Sequence, residues 1–102
     1  MPTFLMMTRL NSEGTSSGKG VVELERSAMS RVRSECPGVE WLASYATFGP
    51  YDYVDVFRAD GIDTAAKVAA IIRAFGRAHT EIWPAVDWQH YKGLMRELPA
   101  AA

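Results

Sequence analysis

The sequence predicts an α+β fold, on three observations. Strand-length segments rich in Val, Tyr, Phe, Trp and Thr alternate with longer segments whose apolar residues recur at helical spacing. Their order along the chain is β-α-β-β-α-β, with one further helical segment after it. The two middle strand segments are separated by Gly49-Pro50, a pair that turns the chain back on itself as a hairpin.

Each element has a local reason. Thr3-Phe-Leu-Met-Met-Thr8 is apolar and of strand length, so it reads as a buried first strand. Asn11 to Gly20 holds three glycines and no periodicity, and reads as a break. From there Val21, Leu24, Ala28, Met29, Val32 and Cys36 fall on one helical face, with Glu23, Arg26, Arg31 and Arg33 on the other. Pro37-Gly38 ends that helix, since proline cannot continue the hydrogen-bond ladder and glycine accepts the reversal. Val39 to Phe48 and Tyr51 to Ala59 form strands two and three, and Asp60-Gly61 closes the third. Asp63 is placed to cap the second helix, whose stripe is Ala65, Val68, Ala69, Ile72 and Phe75, with Gly76 at its end. His79 to Ala85 is the fourth strand, with Pro84 near its end or at a sheet edge. Asp87 caps a last helix with the stripe Trp88, Tyr91, Leu94, Met95 and Leu98, and Pro99 stops it.

With right-handed crossovers this order folds as a ferredoxin-like α+β domain, an antiparallel sheet with two helices on one face. A chain of 102 residues has room for one domain, assigned to residues 1–98, with 99–102 as a frayed tail. Such a small chain buries only about two-thirds of its unfolded surface, so an interface shared between copies would help it.

Composition excludes several classes. Eleven Lys and Arg against twelve Asp and Glu leave a net charge of −1, without the basic footprint that nucleic-acid binding requires. The single cysteine cannot form an internal disulfide, and no Cys/His framework for zinc exists. No cofactor motif is legible, so neither a metal nor a cofactor is expected. No apolar run approaches the ~20 residues that span a bilayer. Met1 to Leu10 lacks a basic region and a small-residue cleavage site. The expected location is therefore the cytoplasm, without membrane contact.

At the hairpin, Gly49-Pro50-Tyr51-Asp52 lies between Tyr45-Ala-Thr-Phe48 and Tyr53-Val-Asp-Val56. This resembles the G-x-Y-D signature of the GYD-domain family. Met1-Pro2-Thr3, the polar turn Asn11-Ser-Glu-Gly14, the strand His79 to Val86 and the closing helix Tyr91 to Leu98 also resemble that family. The resemblance spans nearly the whole chain. It implies a ferredoxin-like protomer that pairs sheet to sheet into a dimeric α/β barrel, and it implies no particular activity.

Strand alternation sorts the candidate residues. On strand three it turns Val54 and Val56 toward the helices, and Tyr53, Asp55 and Phe57 toward the helix-free face. On strand four it puts His79, Glu81 and Trp83 on that same free face. Such a mixture is too aromatic for bare solvent and too charged for a dry core. Two readings stay open. In one, Phe57 and Trp83 pack on a second copy while Asp55, His79 and Glu81 stay wet at the rim. In the other, the paired sheets enclose a site for a small aromatic or apolar ligand. Tyr53, Asp55, Phe57 and Trp83 would line it, with Tyr51 and Asp52 at its mouth. The alternative for Asp52 is the ordinary task of a turn aspartate, bonding nearby backbone N–H groups.

Were the site catalytic, His79 is the candidate general acid or base, because its unperturbed pKa lies nearest neutrality. Glu81 lies roughly 6.6 Å along the strand, close enough to orient the imidazole. Three functions follow. The first is a homo-oligomeric small-molecule binding module. The second, by analogy with other dimeric α/β barrels, is a cofactor-independent enzyme for proton transfer, cyclisation or oxygenation of an aromatic or polyketide-like substrate. The third is a purely structural oligomer.

Two apparent motifs fail on their spacing. Gly14 to Gly20 lacks one spacer residue of a phosphate loop and has Gly20 where the magnesium-binding hydroxyl belongs. His79-Thr80-Glu81 has the H-x-E of zinc deaminases without the Cys pair that must follow. Cys36 closes an apolar stripe and reads as structural, and His90 falls off its helix stripe and reads as solvated.

Overall fold

The computed structural model describes residues 1–10, 18–75 and 78–100. The elements run β1 (Thr3–Leu10), α1 (Gly18–Glu35), β2 (Glu40–Ala46), β3 (Tyr53–Arg58), α2 (Ile62–Phe75), β4 (Ala78–Ala85) and α3 (Trp88–Arg96). All seven expected elements are present, with shifted ends. β1 continues two residues past Thr8, and α1 begins at Gly18 instead of Val21. Asn11 to Ser17 and Gly76, expected as a break and a helix end, lie outside the described residues. Asp63 does not precede α2; it sits within the first turn, where its charge opposes the positive end of the helix dipole.

The sheet is antiparallel throughout, in the order β2-β3-β1-β4 expected of the β-α-β-β-α-β path. Register follows from the pairs Phe4 with Phe57 and Thr8 with Thr80. In β2 the pairing skips one residue, so that Trp41 faces Phe57 and Ala43 faces Val56, leaving Leu42 bulged out.

Both long helices cover one face of the sheet. Ala28 and Val32 of α1 and Ala65, Val68 and Ile72 of α2 pack with Phe4, Met6, Phe57 and Ala78 of the strands. Phe57, fully buried, lies at the centre, stacked on Phe4 at 5.7 Å and on Trp41 at 5.2 Å. Cys36 is buried at the end of α1, and burial raises its thiol pKa.

β3 therefore presents the opposite face to the one alternation suggested. Asp55 and Phe57 are buried beneath the helices and Tyr53 is half-buried with them, while Val54 and Val56 look out from the helix-free side. The physical reason is that the helix-free face is itself apolar. With hydrophobic residues on both sides of β3, alternation gave no contrast to choose between them, and a strand turned by one residue exchanges all its side chains.

α3 stands apart. Asp87 caps it by accepting bonds from the backbone N–H groups of Gln89 at 3.0 Å and His90 at 3.3 Å. Trp88 and Tyr91 stack at 5.5 Å along its apolar stripe. None of its residues is buried; Trp88 remains 65% exposed and Leu98, just beyond its end, 60%. The radius of gyration is 16.0 Å, against about 13 Å for a compact chain of 100 residues.

Candidate functional site

The helix-free face is built from every second residue of the four strands. Leu5 of β1 lies opposite Val56 of β3 and Trp83 of β4, and Met7 lies opposite Val54 and Glu81. Ala43 and Tyr45 of β2 extend the surface beyond β3. Leu5, Val54 and Val56 are half-buried and Trp83 is 48% exposed, with no helix among the described residues above them.

One end of this face is polar, and the hairpin organises it. Asp52 accepts a hydrogen bond on its carboxylate from the Leu10 backbone N–H at 2.7 Å and donates its own backbone N–H to the Thr8 carbonyl at 2.8 Å. The turn is thereby tied to the end of β1. Tyr51 is carried across to β4, where its hydroxyl donates to Glu81 Oε2. The other carboxylate oxygen, Oε1, accepts from the Trp83 indole N–H at 3.3 Å. The Arg9 guanidinium lies 5.8 Å from the centre of the Tyr51 ring, and Arg9 pairs across the strands with His79. The Tyr51 bond, then the Trp83 bond, hold the Glu81 pKa below the ordinary glutamate value, and the same bond raises that of Tyr51.

The site residues expected from the sequence thus divide into two groups. Tyr51, Glu81 and Trp83 come together on the helix-free face, with His79 beside them. Glu81 is committed to Tyr51 and Trp83, and His79 makes no hydrogen bond to it. Asp52 is structural, though not through the local turn bonds expected of it: its carboxylate holds the Leu10 N–H of β1, 42 residues away. Tyr53, Asp55 and Phe57 are corrected to the opposite side of the sheet. Arg9 lies one residue beyond Thr8, where the apolar run that predicts the first strand stops; extending the alternation from Leu5 and Met7 by one step finds it. Val54, which alternation turns toward the helices, lies instead on the helix-free face opposite Met7.

Tyr53 and Asp55 line a cavity of about 200 Å³ between α1 and the sheet. Ser44 donates its hydroxyl to Asp55 Oδ1 at 2.5 Å and accepts from the Trp41 indole N–H at 2.9 Å. The β2 bulge makes this chain possible, since it puts Trp41 and Ser44 on one face three residues apart. Burial raises the Asp55 pKa against the lowering by the Ser44 bond, and it pushes the Tyr53 phenol up to about 12.

One titration checks the surface cluster. Tyr51→Phe removes the bond that lowers the Glu81 pKa, so the carboxyl carbon should titrate at higher pH by NMR. A depressed folded-state pKa means that this stabilisation is complete above the unfolded glutamate value and is lost as pH falls through the folded one. In the variant the folded value moves toward the unfolded one, so this pH-dependent stabilisation should shrink; an unchanged titration would show that Tyr51 does not set the charge of Glu81.

Comparison with known proteins bears on the fold and the family. Over 80 residues the chain is 29% identical to the "Glutamine synthetase and cystathionine beta-lyase binding protein" of Thermus thermophilus, covering 78% of this chain and 83% of that one. The fold resembles that of TTHA0845 from Thermus thermophilus with a TM-score of 0.58, at 22% identity over 85% of this chain and 95% of that one. It also resembles the Mycobacterium tuberculosis leucine response regulatory protein LrpA with a TM-score of 0.56 and 13% identity. That likeness covers 84% of this chain but only 51% of LrpA. Among the described residues no helix is long and apolar enough to cross a membrane. The GYD domain model matches residues 4–95, a span that includes the hairpin, all but the first residue of the four strands and nearly all of α3, and the chain accordingly belongs to the GYD-domain family.

Proposed function

We propose that this protein is a self-associating module that binds other proteins. Two copies meet through their helix-free sheet faces to form a dimeric α/β barrel, and the dimer docks on an enzyme. The observation that carries this reading is the apolar surface that the chain leaves uncovered: Leu5, Val54, Val56 and Trp83 on the sheet, together with the exposed stripe of α3. An apolar surface of this kind, with a polar margin, suits a protein interface. The name of the Thermus relative supports a glutamine synthetase or a cystathionine beta-lyase as the partner.

A second reading is favoured by the polar cluster on the same face. Closing two sheets over Tyr51, His79, Glu81 and Trp83 would enclose a site for a small aromatic or apolar ligand. His79 is the group there suited to move a proton.

Native mass spectrometry of the purified chain, followed by gel filtration with each purified enzyme, tests the first reading. The expected results are a dimer mass and co-elution with at least one of the two enzymes. A monomer at micromolar concentration overturns the self-association. A dimer that elutes apart from both enzymes overturns the enzyme-binding role and leaves the small-ligand site and the purely structural oligomer.

A further inference from the structure

The cavity under α1 lies on the other side of the sheet from the surface just described, and it depends on neither a second copy nor a partner enzyme. Its walls are mainly apolar, from Val21, Leu24 and Met29 of α1 and Ile72 of α2. At about 200 Å³ it is small for a metabolite site, yet a cavity of about 150 Å³ with apolar walls is enough to hold one benzene ring.

Its polar end is acidic. Asp55, only 5% exposed, opens onto the cavity with Ser44 and Tyr53, and Glu25 of α1 lies at the wall. Among the residues whose side chains are described, no basic one lines it. The hydrogen bonds that hold Asp55 run from Trp41 to Ser44 to its carboxylate, and they orient the acid without neutralising it. A buried carboxylate needs a cationic partner to remain charged at low cost. Glu25 makes the deficit larger, since its charge works against ionisation of both Asp55 and Tyr53.

We propose that this cavity is a binding site for a small organic amine, its ammonium group against Asp55 and its apolar body, of about one aromatic ring, among Val21, Leu24, Met29 and Ile72. The acid at the polar end selects the charge, and the apolar walls select a body without further polar groups. An ammonium supplies a cation and the hydrogen-bond donors that an acidic end calls for.

Titration of the full-length chain with 2-phenylethylamine, followed by NMR, tests the assignment, with phenylacetate and ethylbenzene as the acidic and uncharged controls. The amine should give saturable shifts at Val21, Leu24, Ser44 and Tyr53. Phenylacetate should give none, and ethylbenzene should bind at least tenfold more weakly. Asp55→Asn should weaken the amine at least tenfold while leaving ethylbenzene unchanged. Leu24→Trp, which fills the cavity from the α1 side, should abolish binding in a chain with an unaltered circular dichroism spectrum, and it decides the matter if Asp55→Asn does not fold. Phenylacetate binding as well as the amine, an amine affinity indifferent to a folded Asp55→Asn, shifts confined to the helix-free face, or no saturable shift would each overturn the proposal.

Discussion

Replacing Phe57 by alanine is expected to cost about 3–5 kcal/mol of folding stability, the range for removing a large buried aromatic ring. Phe57 has no exposed surface, and its ring bridges Phe4 of β1 and Trp41 of β2, so its loss opens the layer between sheet and helices at its centre. Domains of this size are held by only about 5–15 kcal/mol in all. The urea midpoint followed by circular dichroism should fall sharply, with a substantial unfolded fraction in buffer if the starting stability is at the low end. Phe57→Leu, which keeps most of the volume, should cost under about 2 kcal/mol. An alanine variant with the parent midpoint would mean that the ring is not at the core. It would return Phe57 to the helix-free face where strand alternation first put it.

The second large effect concerns association. Val56 lies at the middle of the helix-free face, opposite Leu5 on one side and Ala43 on the other. If two sheets meet there, Val56→Glu buries a carboxylate without a partner. The cost expected for an uncompensated buried charge is about 3 kcal/mol or more, which is over a hundredfold in the dimer dissociation constant. In a lone subunit the same glutamate stays in water and disturbs little. Sedimentation at several concentrations should therefore show a monomer whose circular dichroism matches the parent. A variant that remains dimeric at the parent affinity would place the interface elsewhere, with α3 the next surface to test.

These two substitutions mark where the sequence could be read and where it could not. Element order was legible because turn chemistry is local: Pro37-Gly38, Gly49-Pro50 and Asp87 each act on the backbone within a few residues. The orientation of β4 was legible as well, since His79 and Glu81 contrast with Thr80 and Ile82. β3 offered no such contrast. Val54 and Val56 serve an apolar outer surface, and Asp55 is tolerated inside because Ser44, from another strand, bonds to it. That bond joins residues eleven apart in sequence and depends on the bulge in β2, which period-two counting cannot see. Tyr51 and Asp52 were legible as a motif, but only the folded chain shows that one reaches β4 and the other holds β1.

The extra residue in β2 acts as a change of phase. Before Leu42 the strand counts its inward positions in one parity, ending on Trp41; after it the count restarts on Ser44. Side-chain identity at Leu42, which is 41% exposed, matters little to that arrangement, whereas chain length matters a great deal. Exchanging the leucine for another residue preserves the parity on both sides. Deleting it would turn either the indole away from the Phe57 ring or the serine hydroxyl away from Asp55. The strand is thus lenient toward substitution and strict toward deletion at the same position.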